Sequence, residues 1–364
     1  MKIVTIIGAR PQFIKAATVS RILRNRFEEV LVHTGQHYDY NMSEIFFQEL
    51  DIPEPNYNLG ISGGTHGAMT GEMLKEIEKV LVKEMPEMVL IYGDTNSTLA
   101  GALAAVKLHI PICHVESGIR LGTLSNPEEV NRIIADDVST LLMCCTESAV
   151  EFLKKEGKAG NVFLVGDPMF DAFLYYSEGK AVEMHETPVD LDGFEIELPD
   201  KFYYMTCHRE ENTAKEETIY EILKAMNALP FPTIYPVHPR NQKQVLKVNR
   251  EHHMENVILC KPVGYLSSIF LVNHAEKIVT DSGGLQREAF FAGKQCVTIF
   301  DYIVWPETMV GNMNQLAKPN HEDILNKLNT KAERVAGRPF GDGHSAEKIV
   351  SIIEDFLNDG NYER

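Results

Sequence analysis

The chain has 364 residues, is 44% hydrophobic and carries a formal net charge of −17. That length exceeds what a single core usually serves, so two domains are expected, and an acid excess with no long Lys/Arg run excludes a nucleic-acid-binding surface. No apolar run reaches the length of a membrane span, and MKIVTIIGAR passes straight from Met into a β-branched run without the form of a signal peptide.

In chain order, the strand candidates are Lys2–Ile7, Val30–His33, Met88–Tyr92, Ile110–Val115, Leu141–Thr146 and Val162–Val165, alternating with longer helix-like stretches. Such alternation is the signature of βαβ units and a parallel sheet. The pattern stops over Tyr175–Asp200, an acidic segment with Pro188 and Pro199 that reads as a connection. Strand-like runs resume at Phe202–Cys207, Thr233–Val237, Val257–Cys260, Lys277–Thr280 and Gln295–Ile299, with helical patterns at Glu216–Ala228 and Arg240–Arg250. The organisation is therefore a first doubly wound domain over 1–174, a linker over 175–200, a second over 201–344, and a C-terminal segment 345–364. In this last segment Ile349, Ile352, Ile353 and Phe356 mark a helix, expected to pack back on the first domain. Most of the six scattered cysteines read as buried free thiols of a cytoplasmic protein, and Cys144-Cys145 lacks metal-ligand spacing, so no metal is expected.

In open α/β sheets ligands bind beyond the carboxyl ends of the strands, and the chemistry-bearing residues follow strands here. Gly8-Ala9-Arg10 opens a helix that carries Lys15; exposed N–H groups plus a guanidinium make a phosphate site, and a plain capped turn is the other reading. The turn is not a GxGxxG fingerprint, which argues against NAD. Asp94 follows the Met88–Tyr92 strand and either carries chemistry or caps the next helix. Glu116 follows Ile110–Val115, and Glu128-Glu129 stand in the first turn after Pro127, where acids also suit the helix dipole. Acids crowded at one sheet edge are costly without cations or protons to share, which favours a functional cluster.

In the second domain His208 and Arg209 directly follow a strand, one suited to proton exchange near neutral pH and the other to phosphate or carboxylate. His238 is read as ligand-positioning. In Thr280-Asp281-Ser282-Gly283-Gly284 two glycines let backbone approach a diphosphate, Ser282 adds a donor, and Glu288 one turn later could accept ribose hydroxyls. A tight turn with Asp281 as N-cap is the bland alternative.

Taken together GARPQFIK, HTGQHYD, GDTNSTLA, HVESGIR, PEEVNR, CHREENT, PVHPRN and TDSGGLQREA resemble, along essentially the whole chain, the non-hydrolysing UDP-N-acetylglucosamine 2-epimerase family. The resemblance implies a GT-B fold, two Rossmann-like doubly wound parallel-sheet domains facing across a cleft, commonly as a homodimer. It implies inversion of C2 of a UDP-linked acetamido sugar by anti elimination of UDP and re-addition, without a cofactor. Residue by residue it puts Asp94, Glu116, Glu128 and His208 in acid/base or stabilising roles. Arg10, Lys15, Ser282, Gly283, Gly284 and Glu288 match contacts to the substrate's diphosphate, ribose or sugar, and Arg209, His238 and Arg120 join them as substrate-binding candidates from their own positions. The loop with Gln36 and His37 resembles part of the family's allosteric site.

GARPQFIKAA, HTGQHYDYNMSEIFF and the loop with Trp305 are more similar to the subgroup acting on UDP-2,3-diacetamido-2,3-dideoxyglucuronate. The carboxylate of that sugar needs a donor, for which Arg120 or Arg287 is available. The competing functions are a GT-B glycosyltransferase using a UDP sugar, a hydrolysing epimerase that releases UDP, and a catalytically silent sensor. A carboxylate cluster beside a titratable His argues against the last.

Overall fold

The computed structural model describes residues 1–36, 47–158, 160–178, 186–334 and 337–359. Two compact units divide the chain: Met1–Ala172 with Arg338–Arg364, and Phe173–Gly337.

The first unit is built on a 7-stranded sheet in the order β3-β2-β1-β4-β5-β6-β7. Its strands are β1 (Lys2–Ile7), β2 (Glu28–His33), β3 (Tyr57–Asn58), β4 (Met88–Tyr92), β5 (Ile112–Val115), β6 (Leu141–Cys144) and β7 (Val162–Leu164). Every pairing is parallel, so helices cover both faces and the central strands are mostly apolar and buried; all of MVLIY in β4 is buried. Val4, Ile6, Val30, Val32, Val89 and Ile91 pack against Met73, Ile77 and Leu81 of the helix His66–Glu84 and the alanines of Asn96–Lys107.

The second unit repeats the plan as a 6-stranded sheet, β10-β9-β8-β11-β12-β13, formed by β8 (Tyr203–Thr206), β9 (Thr233–Pro236), β10 (Val257–Cys260), β11 (Lys277–Thr280), β12 (Gln295–Thr298) and β13 (Asn314–Leu316). Tyr203, Met205, Tyr235, Val279 and Val297 form its core with Ile219, Leu223, Val245 and Val248.

Several expectations are refined. β3 and β13 are short and carry Asn and Gln, so they give no apolar run. Part of the stretch read as a connection belongs to the second unit: Asp190 bridges Cys260 antiparallel, Lys261 N donates to the Val189 carbonyl at 2.9 Å, and the open edge at β10 is thereby paired. The helix expected at Arg240 begins at Gln242, after a 3₁₀ turn over Pro239–Asn241. All six cysteines are buried free thiols. Among the described residues no helix is long and apolar enough to cross a membrane.

The C-terminal helix Ser345–Asn358 lies against Arg10–Leu23 in the first unit. Asp171, buried in the helix Pro168–Glu178, caps its start, accepting from Ser345 Oγ at 2.7 Å and Ala346 N at 2.8 Å. Replacing Asp171 with Ala strands two buried donors and should cost about 2 kcal/mol. Urea denaturation monitored in the first unit would show an earlier transition, largely recovered by Asp171→Asn; an unchanged midpoint for the alanine variant would rule out the cap.

Candidate active site

A sheet ordered 3-2-1-4 reverses its winding between β1 and β4, and the crevice at that point is where such folds take ligands. In the first unit the two loops there are Gly8–Arg10 and Gly93–Thr95. Gly8 has no room for a side chain: a Cβ would stand 2.1 Å from Thr34 Oγ1 and 2.2 Å from Ser97 Oγ. Its N–H and that of Ala9 donate to Gln12 Oε1 at 2.8 and 3.0 Å, while Gln12 Nε2 donates to the Tyr92 carbonyl at 2.8 Å. Gln12 thus closes the turn from within, so these two N–H groups do not form the phosphate cradle expected of them. Arg10 opens the helix, half-buried.

Lys15, one turn later, is buried, and its Nζ lies 2.5 Å from Glu116 Oε2, with side chains 2% and 7% exposed. Glu116 ends β5 at φ +72°, a left-handed conformation uncommon outside glycine and often found where function fixes a side chain. Gly93, at φ +61°, borders the pair; a Cβ there would lie 3.4 Å from both Glu116 Oε1 and Lys15 Nζ.

Asp94 does not cap the helix after it, since Thr95 does. Its carboxylate is instead bonded to Arg132, which also donates from Nη1 to Glu129 Oε2 at 2.7 Å. Burial pulls Arg132 down, but Asp94, Glu129 and Glu116 together hold it above its ordinary value. The neighbouring acids of the PEE turn part company. Glu129 is buried and accepts from the N–H groups of Leu121 and Gly122 at 2.8 and 3.0 Å, fixing that loop, whereas Glu128 is exposed. The crowding of acids read in the sequence is thus relieved by two cations, Lys15 and Arg132.

Arg120 directs its donors onto acids of the protein. Its side chain is 6% exposed, with Nη1 donating to Asp136 at 2.7 Å and Nε and Nη2 donating to Glu156 at 2.6 and 2.7 Å. Of the Gln36–His37 pair, Gln36 accepts from Ser97 N and Oγ at 3.1 and 2.7 Å; His37 lies outside the described residues.

The second unit has its reversal between β8 and β11, which places Cys207–Arg209 beside Asp281–Gly284. Asp281 is the organiser, and it is not the N-cap, a place taken by Ser282. Fully buried, it accepts from His208 N at 2.9 Å, Arg209 N at 2.8 Å and Asn212 Nδ2 at 3.2 Å, and lies 3.1 Å from His208 Nδ1. Burial pushes its carboxyl up, but His208 and the two N–H groups outweigh that and hold it at about 2. His208 keeps its ring 42% exposed and lies near-parallel to His238 at 6.4 Å. Arg209 lies 4.1 Å over the Phe300 ring and donates to Tyr302 Oη at 2.5 Å. Ser282, Gly283 and Gly284 are half-buried at the helix start, Glu288 is buried one turn below them, and Arg287 stacks on Trp305 at 4.0 Å. Arg132, Asp136 and Asp281 were not singled out for these roles from the sequence. The spacing Glu129, Arg132, Asp136 on one face of an amphipathic helix was the signal available for two of them.

Among the described residues Glu116, Cys145 and Asp167 bring ligand-type atoms within 4.8 Å of one another. The Lys15 ammonium already neutralises Glu116 there, which disfavours a cation.

Two doubly wound parallel sheets, each with polar, chemistry-bearing loops at its switch point, define a GT-B type α/β protein. Residues 21–354 match the family described as UDP-N-acetylglucosamine 2-epimerase, and the chain belongs to that family, a class of carbohydrate isomerases. It is 47% identical to a UDP-N-acetylglucosamine 2-epimerase homolog of Methanococcus maripaludis, over 98% of this chain and 100% of that protein. It is 43% identical to the UDP-2,3-diacetamido-2,3-dideoxy-D-glucuronate 2-epimerase of Pseudomonas aeruginosa, over 97% and 99%. The solved structure of the Methanocaldococcus jannaschii UDP-GlcNAc 2-epimerase with UDP-GlcNAc and UDP is similar at a TM-score of 0.85 and 37% identity, covering 98% of this chain and 100% of that one.

A carboxyl held at about 2 in the fold and near 4 when unfolded stabilises the native state above pH 4, and that contribution fades as the pH falls toward 2. Asp281 should therefore add about 2 kcal/mol at neutral pH. Asp281→Asn should lower the denaturation midpoint of the second unit at pH 7 and flatten its slope between pH 4 and 2. An Asn variant with the wild-type acid slope would contradict this.

Proposed function

We propose that the protein is a non-hydrolysing 2-epimerase that interconverts a UDP-linked 2-acetamido sugar with its C2 epimer. The observation that carries this reading is the buried Lys15–Glu116 pair at the first unit's switch point, with Asp94 beside it, in a chain matching epimerases from end to end. As the C1–O bond to UDP breaks, positive charge grows at C1 and the C2 proton becomes acidic enough for a carboxylate. Transfer of that proton to the protein leaves a 2-acetamidoglucal. UDP then adds back at C1 while a proton reaches the opposite face of C2. The sugar's own bonds supply every electron, so the reaction needs no redox cofactor.

In this reading Asp94, Glu116, Glu128 and His208 handle protons or developing charge. Arg10, Arg209, His238, Ser282, Gly283, Gly284 and Glu288 receive the diphosphate and ribose, and Lys15, expected with them, is reassigned to holding Glu116 in place, because its ammonium is buried against that carboxylate. Arg120 is reassigned to support of the loops, for the geometric reason given above. Two sugars fit: UDP-GlcNAc, and the diacetamido-glucuronate of the Pseudomonas relative, whose carboxylate would then fall to Arg287 rather than Arg120. In this reading the protein works in the cytoplasm as a homodimer and supplies polysaccharide precursors, which the family resemblance supports.

Incubation with each UDP sugar, followed by proton and phosphorus NMR, tests the reading. A manno-configured UDP sugar should build up to equilibrium with no growth of free UDP. His208→Ala should cut the rate by orders of magnitude while leaving UDP binding nearly intact. UDP accumulating in step with turnover would point to hydrolysis, and sugar transfer without epimerisation would point to a glycosyltransferase.

A further inference from the structure

The pair His114–Asp136 has no part in the chemistry above, yet it is among the most deeply buried charged groupings in the first unit, with both side chains 0% exposed. His114 is on β5, pointing Nδ1 at Asp136 Oδ1 and Nε2 at the Gly93 carbonyl, each at 2.7 Å. A carboxylate and a carbonyl can only accept, so the geometry requires the ring to donate from both nitrogens. The other Asp136 oxygen accepts from Gly118 N at 3.0 Å and Arg120 Nη1 at 2.7 Å. His114 and Arg120 thus share one aspartate, and Glu156 lies on the outer side of Arg120.

This grouping touches both loops that bear the proposed proton-handling acids. Its histidine end holds the Gly93 carbonyl, directly before Asp94. Its aspartate end holds the Gly118 N–H, two residues past Glu116. Gly93 and Gly118 take left-handed φ values of +61° and +83° that glycine adopts readily, whereas Glu116, in the second turn, is held at +72°, a conformation its side chain disfavours and that its surroundings must support.

We infer that His114 and Asp136 are positioning residues, a buried tie-bar that sets the distance between the Asp94 and Glu116 loops and thereby governs the rate of C2 proton transfer rather than the grip on UDP. The inference rests on the proposed epimerisation. Being fully buried, neither residue meets a ligand. A shift of about 1 Å in one loop relative to the other moves two reacting groups and can cost 10²-fold in rate, whereas the loops assigned to diphosphate and ribose in the second unit keep their own ties.

The test compares His114→Gln, which reaches Gly93 but not Asp136, with His114→Asn, which does the reverse, and with Asp136→Asn. Each should lower kcat by about 10²-fold with KM changed by less than about threefold. Ile77→Ala, a core variant remote from the site and similarly lowered in Tm, should keep its kcat. Wild-type kcat in the His114 variants, or a loss matched by Ile77→Ala at equal Tm, overturns the inference. Should the variants not fold, nitrogen-15 NMR of histidine-labelled wild type decides: His114 with two N–H signals at neutral pH supports the tie, and a single N–H with one bare nitrogen refutes it. If the wild type turns over neither UDP sugar, it is the proposed function that fails, and the NMR result still reads the tie on its own.

Discussion

The first unit is organised around a charge pair that joins two of its elements. Lys15 and Glu116 come from different elements, the helix after β1 and the end of β5, and each is almost wholly withdrawn from water. Either group buried alone would be strongly destabilising, and the pair recovers that cost only with close geometry. The requirement fixes how far the helix Arg10–Leu23 is rotated and how β5 ends, which is why Glu116 sits in a left-handed conformation where a glycine would be the easy choice. Gln12 meets the same demand from the backbone side by satisfying the N–H groups of Gly8 and Ala9 and tying them to the end of β4.

The second unit uses the same logic with different residues. Asp281 at the end of β11 gathers the N–H groups of the loop after β8, so the switch point is held by a buried carboxylate with several donors. His208 is thereby fixed at its backbone while its ring keeps access to solvent, a state suited to exchanging protons. In both units rigidity lies in the buried side chains and chemistry in the groups they present. Acids that look equivalent in sequence differ in just this way: Glu129 ties a loop, and Glu128 beside it faces outward.

Much of this was legible in the sequence because fully covered parallel strands are mostly apolar on both faces; MVLIY and KIVTII declare themselves, and the loops after them carry the candidate site residues. β3 and β13 were hidden because two or three residues with polar side chains make no pattern, and the paired edge near Asp190 because its tertiary partner, Cys260, is distant in sequence. Arg120 was a candidate because a uronate carboxylate needs a donor; only the positions of Asp136 and Glu156 show where its guanidinium is bonded. The part of Asp281 was missed because capping and reaching back to a neighbouring strand use the same residue type in the same place, and only the register of β11 against β8 separates them.

The account stands on C2 proton exchange at the Lys15–Glu116 edge. The most direct measurement is deuterium incorporation at C2 of recovered UDP sugar in D2O, by wild type and Glu116→Gln side by side, with UDP affinity measured on both. The account predicts C2 deuterium with an intact UDP linkage for the wild type and a loss of several orders of magnitude in the variant at nearly unchanged UDP affinity. Full exchange by the Gln variant, or an inverted C2 that retains its original hydrogen, would contradict it.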